Sequence, residues 1–169
     1  MEKRMRQGVC LTLGIVIYFI VHEGAHAFVA MHYGVLKKVN VMLMGIQVDV
    51  CHEQMNDVQM GLFCLAGAVA TLVVAWLLVL LRERICAVKS KYARALAWYV
   101  TLILLVLDPL YLSVLYGFVG GGDMNGIALI MPKMWATIGF ALLLAVDIFA
   151  VVKWVYPSYK RSFAEQSLS

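Results

Sequence analysis

Charged side chains are scarce in this chain, and their scarcity excludes an ordinary soluble protein. Lys, Arg, Asp and Glu make up 14% of the 169 residues, whereas 63% of the residues are hydrophobic. Ordinary globular domains are about 25% charged and about 45–50% apolar. The composition therefore predicts a membrane protein that has the lipid bilayer as its surroundings.

The sequence also lacks paired cysteine motifs, internal repeats and low-complexity tracts. None of the four cysteines has CxxC spacing. We expect separated free thiols, and a disulfide between Cys51 and Cys64 is the alternative. The net charge of +4 does not indicate a nucleic-acid partner, because the basic residues cluster at the ends of apolar runs.

Four apolar runs are long enough to cross a bilayer as helices, which takes roughly 20 residues each. They cover residues 8–33, 58–81, 93–119 and 134–156. Because they take up most of the chain, we predict one integral-membrane domain over residues 1–169 and no separate soluble domain. The first run is too long for the apolar core of a signal peptide and ends without a small-residue cleavage site, so we expect it to be retained.

Basic residues mark one side of the predicted helix bundle. They precede the first run, separate the second from the third and flank the end of the fourth: Lys3, Arg4, Arg6, Arg82, Arg84, Lys89, Lys91, Arg94, Lys153, Lys160 and Arg161. The connections on the other side carry Lys37, Lys38 and Lys133, with acidic residues beside them. The positive-inside rule therefore predicts that both termini and the 82–94 connection are cytoplasmic.

The segment between the first two runs has a different pattern. Residues 46–50, Ile-Gln-Val-Asp-Val, alternate apolar and polar side chains, which is the period of a strand. We predict a short hairpin or kinked strand from residues 39–44 and 46–50, with Gly45 at a bend or bulge. An open strand edge cannot face lipid, so the hairpin must lie at the interface or against the helices. The predicted fold class is an all-α polytopic membrane protein with about four transmembrane helices and a short membrane-associated β-hairpin after the first.

One acidic residue interrupts the first apolar run, in the segment His22-Glu23-Gly24-Ala25-His26. Between positions 8 and 34, Glu23 is the only Asp, Glu, Lys or Arg. An ionisable residue within a span is costly and indicates a functional site by default. His22 and His26 share one helical face, where both imidazoles can reach one metal ion at about 2.0–2.1 Å. Glu23 lies beside them, where it can take a proton from water on the metal and pass it to a leaving amine.

Two imidazoles and a carboxylate, with a position left open for water, suit one zinc ion. Polar packing residues are the alternative interpretation of the histidines. From the residues alone, Asp108 and Asp123 both remain candidates for the third ligand. Helix rise places Asp108 about 20 Å and His22 about 21 Å from their cytoplasmic ends, which favours Asp108. Asp123 follows three glycines that allow the backbone to fold back toward the metal, and Asp147 is a weaker candidate.

Three further residues have side chains that bind metals in other proteins. His32 is six positions beyond His26 and therefore lies off its helical face. Cys51 and His52 lie in the polar segment between the first two runs, where plain surface residues are the more common explanation.

Three segments resemble the site-2 protease family of intramembrane zinc metalloproteases. His22-Glu23-Gly24-Ala25-His26 lies in a first core helix, and Ala66-Gly67-Ala68-Val69-Ala70-Thr71 is similar to the Ala-Gly-Pro run of the next core helix. Asp123-Met124-Asn125-Gly126-Ile127 is similar to the family's Leu-Asp-Gly element. The resemblance covers about residues 8–130, and the strand-like segment after the first run also fits the family.

The resemblance implies that His22, His26 and Asp123 are zinc ligands and that Glu23 is the general base. It also implies that Asp108 and Pro109 stand roughly where the family has an Asn-Pro-containing loop that helps to hold substrate. The implied function is an intramembrane zinc endopeptidase that hydrolyses peptide bonds within or next to transmembrane segments of other proteins. A catalytically silent relative that binds membrane proteins is one alternative, and a metal transporter is another.

Overall fold

The computed structural model describes residues 2–42, 45–120 and 122–165. Within them, four helical segments are long and apolar enough to cross a membrane: Arg4–His32, Asp57–Cys86, Lys91–Val119 and Lys133–Ala164. A two-stranded antiparallel hairpin follows the first helix. The predicted fold class is confirmed, and the four spans fit an integral membrane protein.

The elements follow one another in a simple order along the chain. They are α1 (Glu2–His32), β1 (Leu36–Met42), β2 (Gly45–Val50), α2 (Asp57–Cys86), α3 (Lys91–Leu110), α4 (Tyr116–Val119), α5 (Gly122–Ile127), α6 (Lys133–Ala150) and α7 (Tyr156–Glu165). A 3₁₀ turn at His52–Gln54 precedes α2, and π-helical segments at Tyr111–Leu115 and Val151–Val155 join α3 to α4 and α6 to α7.

Local sequence signals set several of the helix ends. Gly34, with φ of 70°, follows α1 in a left-handed conformation that glycine adopts without steric cost. Asn56 and Gln59 form a reciprocal capping box at the start of α2. Ser90 accepts a hydrogen bond from the Ala93 amide at the start of α3. Pro109 lies inside α3 and is followed at once by the π-helical segment, so the span continues beyond the proline.

The hairpin begins earlier than the sequence predicts. Strand β1 starts at Leu36 rather than at position 39, and Val39 pairs with Val48 in the antiparallel register. The irregularity in the ladder lies between Leu36 and Lys38, while Gly45 begins β2 with φ of 150°. Positions 43 and 44, which the prediction assigned to the first strand, lie outside the described residues. A Cβ at position 45 would come 2.9 Å from the ring of Phe19, so this glycine lets the hairpin pack against α1.

The helices α1, α2 and α3 pack against one another, and α6 packs against α3. One buried cluster lies at the hairpin end of the bundle and includes Val48, Phe63, Leu112 and Met124. A second cluster lies toward the other end and includes Tyr18, Val79, Leu104 and Tyr159. Large apolar side chains remain exposed on the outside of the bundle, such as Leu142, Val146 and Phe149 of α6. This distribution is typical of helices that are surrounded by lipid.

Candidate metal centre

The two histidines of α1 point into the bundle and meet at their ring nitrogens. His22 is 7% exposed and His26 is 3% exposed. Their Nε2 atoms are 3.1 Å apart, and their ring centroids are 4.8 Å apart. Spacing of four residues on α1 thus puts both imidazoles over one point inside the protein, as the sequence predicts.

Asp123, in the first turn of α5, completes a group of three possible metal ligands. Its Oδ2 lies 3.3 Å from His22 Nε2, and its Oδ1 lies 3.7 Å from His26 Nε2. A tetrahedral ion with ligands at about 2.0–2.1 Å separates each pair of ligand atoms by about 3.3–3.4 Å. The observed separations of 3.1, 3.3 and 3.7 Å, the last two measured to different oxygens of Asp123, are close to this spacing. Among the described residues, His22, His26 and Asp123 are the one such group.

The other nitrogen of each imidazole is held by a hydrogen-bond acceptor. His26 Nδ1 lies 2.7 Å from the Phe63 carbonyl oxygen, and His22 Nδ1 lies 3.2 Å from Asp108 Oδ2. A carbonyl oxygen only accepts hydrogen bonds, so Nδ1 of His26 carries the hydrogen and donates it. The same reasoning applies to His22 beside the Asp108 carboxylate. In the neutral rings both Nε2 atoms then carry lone pairs that face each other and a third acceptor, Asp123, and a cation between them would satisfy all three.

Asp108 thus meets His22, as its predicted depth suggests, but on the opposite side of the ring from Asp123. It is fully buried. It accepts hydrogen bonds from the Tyr18 hydroxyl at 2.6 Å and from the Thr71 hydroxyl at 2.5 Å. Carboxylates that hold the distal nitrogen of a ligating histidine fix its tautomer and orientation. In the structure Asp108 contacts the distal nitrogen of His22, and Asp123 lies with the Nε2 atoms.

Glu23 lies beside the three ligand groups on the wall of a cavity of about 510 Å³. The cavity is also lined by His26, Asp123 and the β2 residues Gln47, Val48 and Asp49. Glu23 Oε2 accepts a hydrogen bond of 3.2 Å from the Val48 amide, so β2 holds the carboxylate in place. No Lys or Arg is among the described lining residues. The lining carries the carboxylates of Glu23, Asp49 and Asp123, of which Asp49 lies 3.9 Å from Lys37, and this excess of acidic groups favours a cation.

Gly67 of α2 lies against the candidate metal centre, although sequence reasoning interpreted its segment mainly as helix packing. A Cβ at this position would lie 2.6 Å from His26 Nε2, 2.6 Å from His22 Cε1 and 2.7 Å from His22 Nε2. The α2 backbone therefore lies directly against the donor atoms, and a side chain would occupy the space between them. The run of small residues from Ala66 to Thr71 was the signal in the sequence.

Several sequence candidates lie apart from the three ligand groups. His32 is exposed and lies against the ring of Tyr33. His52 is exposed and lines the cavity, and Cys51 and Cys64 are free thiols, as predicted. Asp147 is buried in α6, where its Oδ1 accepts a hydrogen bond of 3.0 Å from the Trp76 indole.

No protein-family model, no curated protein and no solved structure matches this chain. The geometry of the site and the chemistry of its residues therefore carry the functional argument.

Proposed function

We propose that this protein is an intramembrane zinc endopeptidase of the site-2 protease type, which hydrolyses peptide bonds within or next to transmembrane segments of other membrane proteins. One observation carries the proposal. Two imidazole nitrogens and the Asp123 carboxylate converge at ligand spacing inside the helix bundle, with Glu23 on the wall of the adjoining cavity. Each of these residues belongs to a segment on which the resemblance to the family depends.

The donor set fits zinc. Two neutral imidazoles and one carboxylate are a common catalytic zinc set, which leaves a fourth position for water or substrate. His22, His26 and Asp123 would hold the ion, and Asp108 and the Phe63 carbonyl would orient the two rings. The ion would act as a Lewis acid that polarises the scissile carbonyl and lowers the cost of removing a proton from water.

Glu23 is the proposed general base and then the general acid. As water attacks the carbonyl carbon, a new C–O bond forms and the Glu23 carboxylate takes the proton of the water. When the C–N bond breaks, the same proton passes from Glu23 to the leaving nitrogen, which departs as an amine. The carboxylate is ionised again at the end of the cycle. The hydrogen bond from the Val48 amide to Oε2 would keep Glu23 in position and leave Oε1 for the proton.

The β2 strand offers a way to hold an extended substrate. Peptide bonds in a helix are shielded by their own hydrogen bonds, so a transmembrane segment must unwind before cleavage. The Val48 amide points away from β1 and toward Glu23, so this edge of β2 borders the cavity. A segment that pairs with this edge through main-chain hydrogen bonds would lie extended beside Glu23.

Zinc content and cleavage by the purified protein test the proposal. We expect about one zinc per chain by elemental mass spectrometry and cleavage of at least one member of a panel of single-span test proteins. Glu23→Gln should keep the zinc and lose the cleavage, because the amide still accepts from the Val48 amide but cannot take a proton. Glu53→Gln is the matched control, since Glu53 is exposed in the turn before α2.

Three outcomes would contradict the proposal. Full cleavage by the Glu23→Gln protein would remove Glu23 from the mechanism. Bound zinc without cleavage of any test protein would favour a silent binding protein. Zinc flux into proteoliposomes in place of cleavage would favour a transporter.

A further inference from the structure

A second cavity, of about 480 Å³, lies at the opposite end of the bundle from the three metal-ligand groups. It is formed by the first turns of α1 and α3 and by α7. Its charged lining residues are Arg6, Lys91, Arg94 and Lys160, and no Asp or Glu is among the lining residues that the structure describes. The lining therefore carries charge of one sign and attracts an anion.

Arg94 forms a fixed positive charge in the wall of this cavity. It is 2% exposed. One guanidinium nitrogen donates to the Ser162 hydroxyl at 2.7 Å and to the Ser162 carbonyl at 3.1 Å. The guanidinium also lies over the ring of Phe163, with 5.2 Å from Cζ to the ring centroid. These contacts hold the cation in place, so little side-chain entropy is lost when an anion binds beside it.

Aromatic side chains make up much of the remaining wall. The ring of Trp98 lies 6.2 Å from that of Tyr156 and 5.3 Å from that of Tyr159, measured between centroids. Trp98 and Tyr99 are half-buried. Trp and Tyr at the ends of spans occur at the membrane–water interface, where their amphipathic rings contact the headgroup region. This cavity thus combines basic groups with aromatic rings at the ends of three spans.

We propose that this cavity binds the phosphate of an anionic phospholipid headgroup. Guanidinium and ammonium groups bind phosphate oxygens through charge-assisted hydrogen bonds. Basic pockets between transmembrane helices are suited to anionic headgroups. A soluble phosphate would meet the same charges, but the aromatic wall suits the glycerol and upper acyl chain of a lipid. The proposal is independent of the peptidase, since it uses none of the residues of the metal centre.

Lipid titration of the detergent-solubilised protein tests this site. The probes are short-chain phosphatidylglycerol, short-chain phosphatidylcholine and inorganic phosphate, and the readout is the thermal unfolding midpoint as a function of concentration. We expect phosphatidylglycerol to raise the midpoint and to saturate at one lipid per chain by native mass spectrometry. We expect a much smaller rise with phosphatidylcholine, which has no net charge.

Charge-removing variants connect the effect to the cavity. Lys91→Gln with Lys160→Gln removes two exposed lysines that line it, and the apparent affinity for phosphatidylglycerol should fall roughly tenfold or more. Lys37→Gln with Lys38→Gln is the matched control, because it removes the same charge from exposed positions on β1. Arg94→Gln is a second test, used with a check of folding because Arg94 links α3 to α7.

The three probes distinguish the possible results. Equal affinity for phosphatidylglycerol and phosphatidylcholine would overturn the proposal, as would equal losses in the two double-lysine variants. If inorganic phosphate alone produced the whole rise in the unfolding midpoint, the lipid would be overturned as the source of the bound phosphate. A shift specific to phosphatidylglycerol and reduced only by the cavity variants supports it.

Discussion

At the scale of single residues, the candidate metal centre depends on a position with no side chain. The Gly67 backbone lies where a Cβ would meet both imidazoles at 2.6 Å, closer than real Cβ contacts allow. The imidazole nitrogens are on α1, and the backbone of α2 borders the space in front of them. A substitution at Gly67 therefore acts on the site without removing any ligand.

We expect Gly67→Ala to weaken zinc binding. Overpacking of this kind costs about 1–3 kcal/mol, which corresponds to roughly 5- to 150-fold in affinity if the rings must move. Competition with a fluorescent zinc chelator measures the change. The control is Gly139→Ala in α6, where a Cβ meets nothing within 4 Å. Equal zinc affinity in the two variants would show that α2 does not shape the site.

Asp108, which is buried, and Asp123, which is partly exposed, occupy different positions in this geometry. Asp123 lies against the Nε2 atoms of both histidines, whereas Asp108 lies against Nδ1 of His22. Asp123 would contribute a bond to the ion, and Asp108 would orient one of the rings. Removing the first should empty the site, and changing the second should weaken it.

Accordingly, we expect Asp123→Ala to lose stoichiometric zinc. Asp108→Asn should lower zinc affinity by about 10–100-fold, the usual effect of changing a residue that orients a ligand. Elemental analysis after dialysis against graded chelator separates the two effects, and Asp57→Asn at the exposed start of α2 is the control. Loss of zinc in Asp108→Asn but not in Asp123→Ala would reverse the assignment.

At the scale of helices, two glycines let α2 come close to α5 and to the residues that follow it, which brings α5 to the candidate metal centre. A Cβ at Gly61 would lie 2.6–2.9 Å from side-chain atoms of Ile130, which follows α5. A Cβ at Gly126 of α5 would clash with Cys64 of α2. This close packing holds Asp123 next to the histidines, so the site is sensitive to side-chain volume away from the ligands.

Gly61→Ala should therefore destabilise the protein by about 1–3 kcal/mol and lower its zinc affinity. Adding Ile130→Ala removes the atoms that the new methyl group meets. We therefore expect the double variant to lose about 1 kcal/mol less unfolding free energy than the two single variants lose in sum. Denaturant unfolding in mild detergent gives the four free energies of the cycle. If the changes in unfolding free energy of the two single variants simply add in the double variant, this contact does not position α5.

At the scale of the whole molecule, the two ends of the bundle differ in charge and in chemistry. One end carries the cavity lined by Arg6, Lys91, Arg94 and Lys160. The other end carries the hairpin, with Lys37 3.9 Å from Asp49, and the cavity beside Glu23. The positive-inside rule leads us to propose that the basic end is cytoplasmic, so the metal centre lies toward the other face.

An impermeant amine-reactive reagent applied to intact cells tests this orientation on the unmodified chain. We expect Lys37, Lys38 and Lys133 to be labelled on intact cells, and Lys89 and Lys91 only after permeabilisation. Peptide mass spectrometry quantifies each lysine, and a known cytoplasmic protein of the same cells reports leakage. The reverse pattern would invert the proposed orientation and place the metal centre nearer the cytoplasm.

The sequence predicted the helical architecture well because hydrophobicity and helical spacing are local properties. Four apolar runs correspond to four long helices, although the helices extend beyond the predicted ends, as α2 does from 81 to Cys86. The alternation in 46–50 predicted β2, while β1 began three residues before its predicted start because Leu36 and Lys38 still pair with Val50 and Asp49 of β2. Spacing also put His22 and His26 on one face.

By itself, the sequence determined the number of spans, the hairpin and the shared face of the two histidines, since each follows from side chains within a few turns of one another. Only the tertiary structure decided which aspartate faces the Nε2 atoms, because Asp108 and Asp123 approach His22 from helices whose rotation about α1 depends on packing. The same packing placed Gly67 against the two histidines and brought basic residues from the ends of three spans into one cavity. Such contacts join residues far apart in the chain, and their geometry is set by the shapes of whole helices.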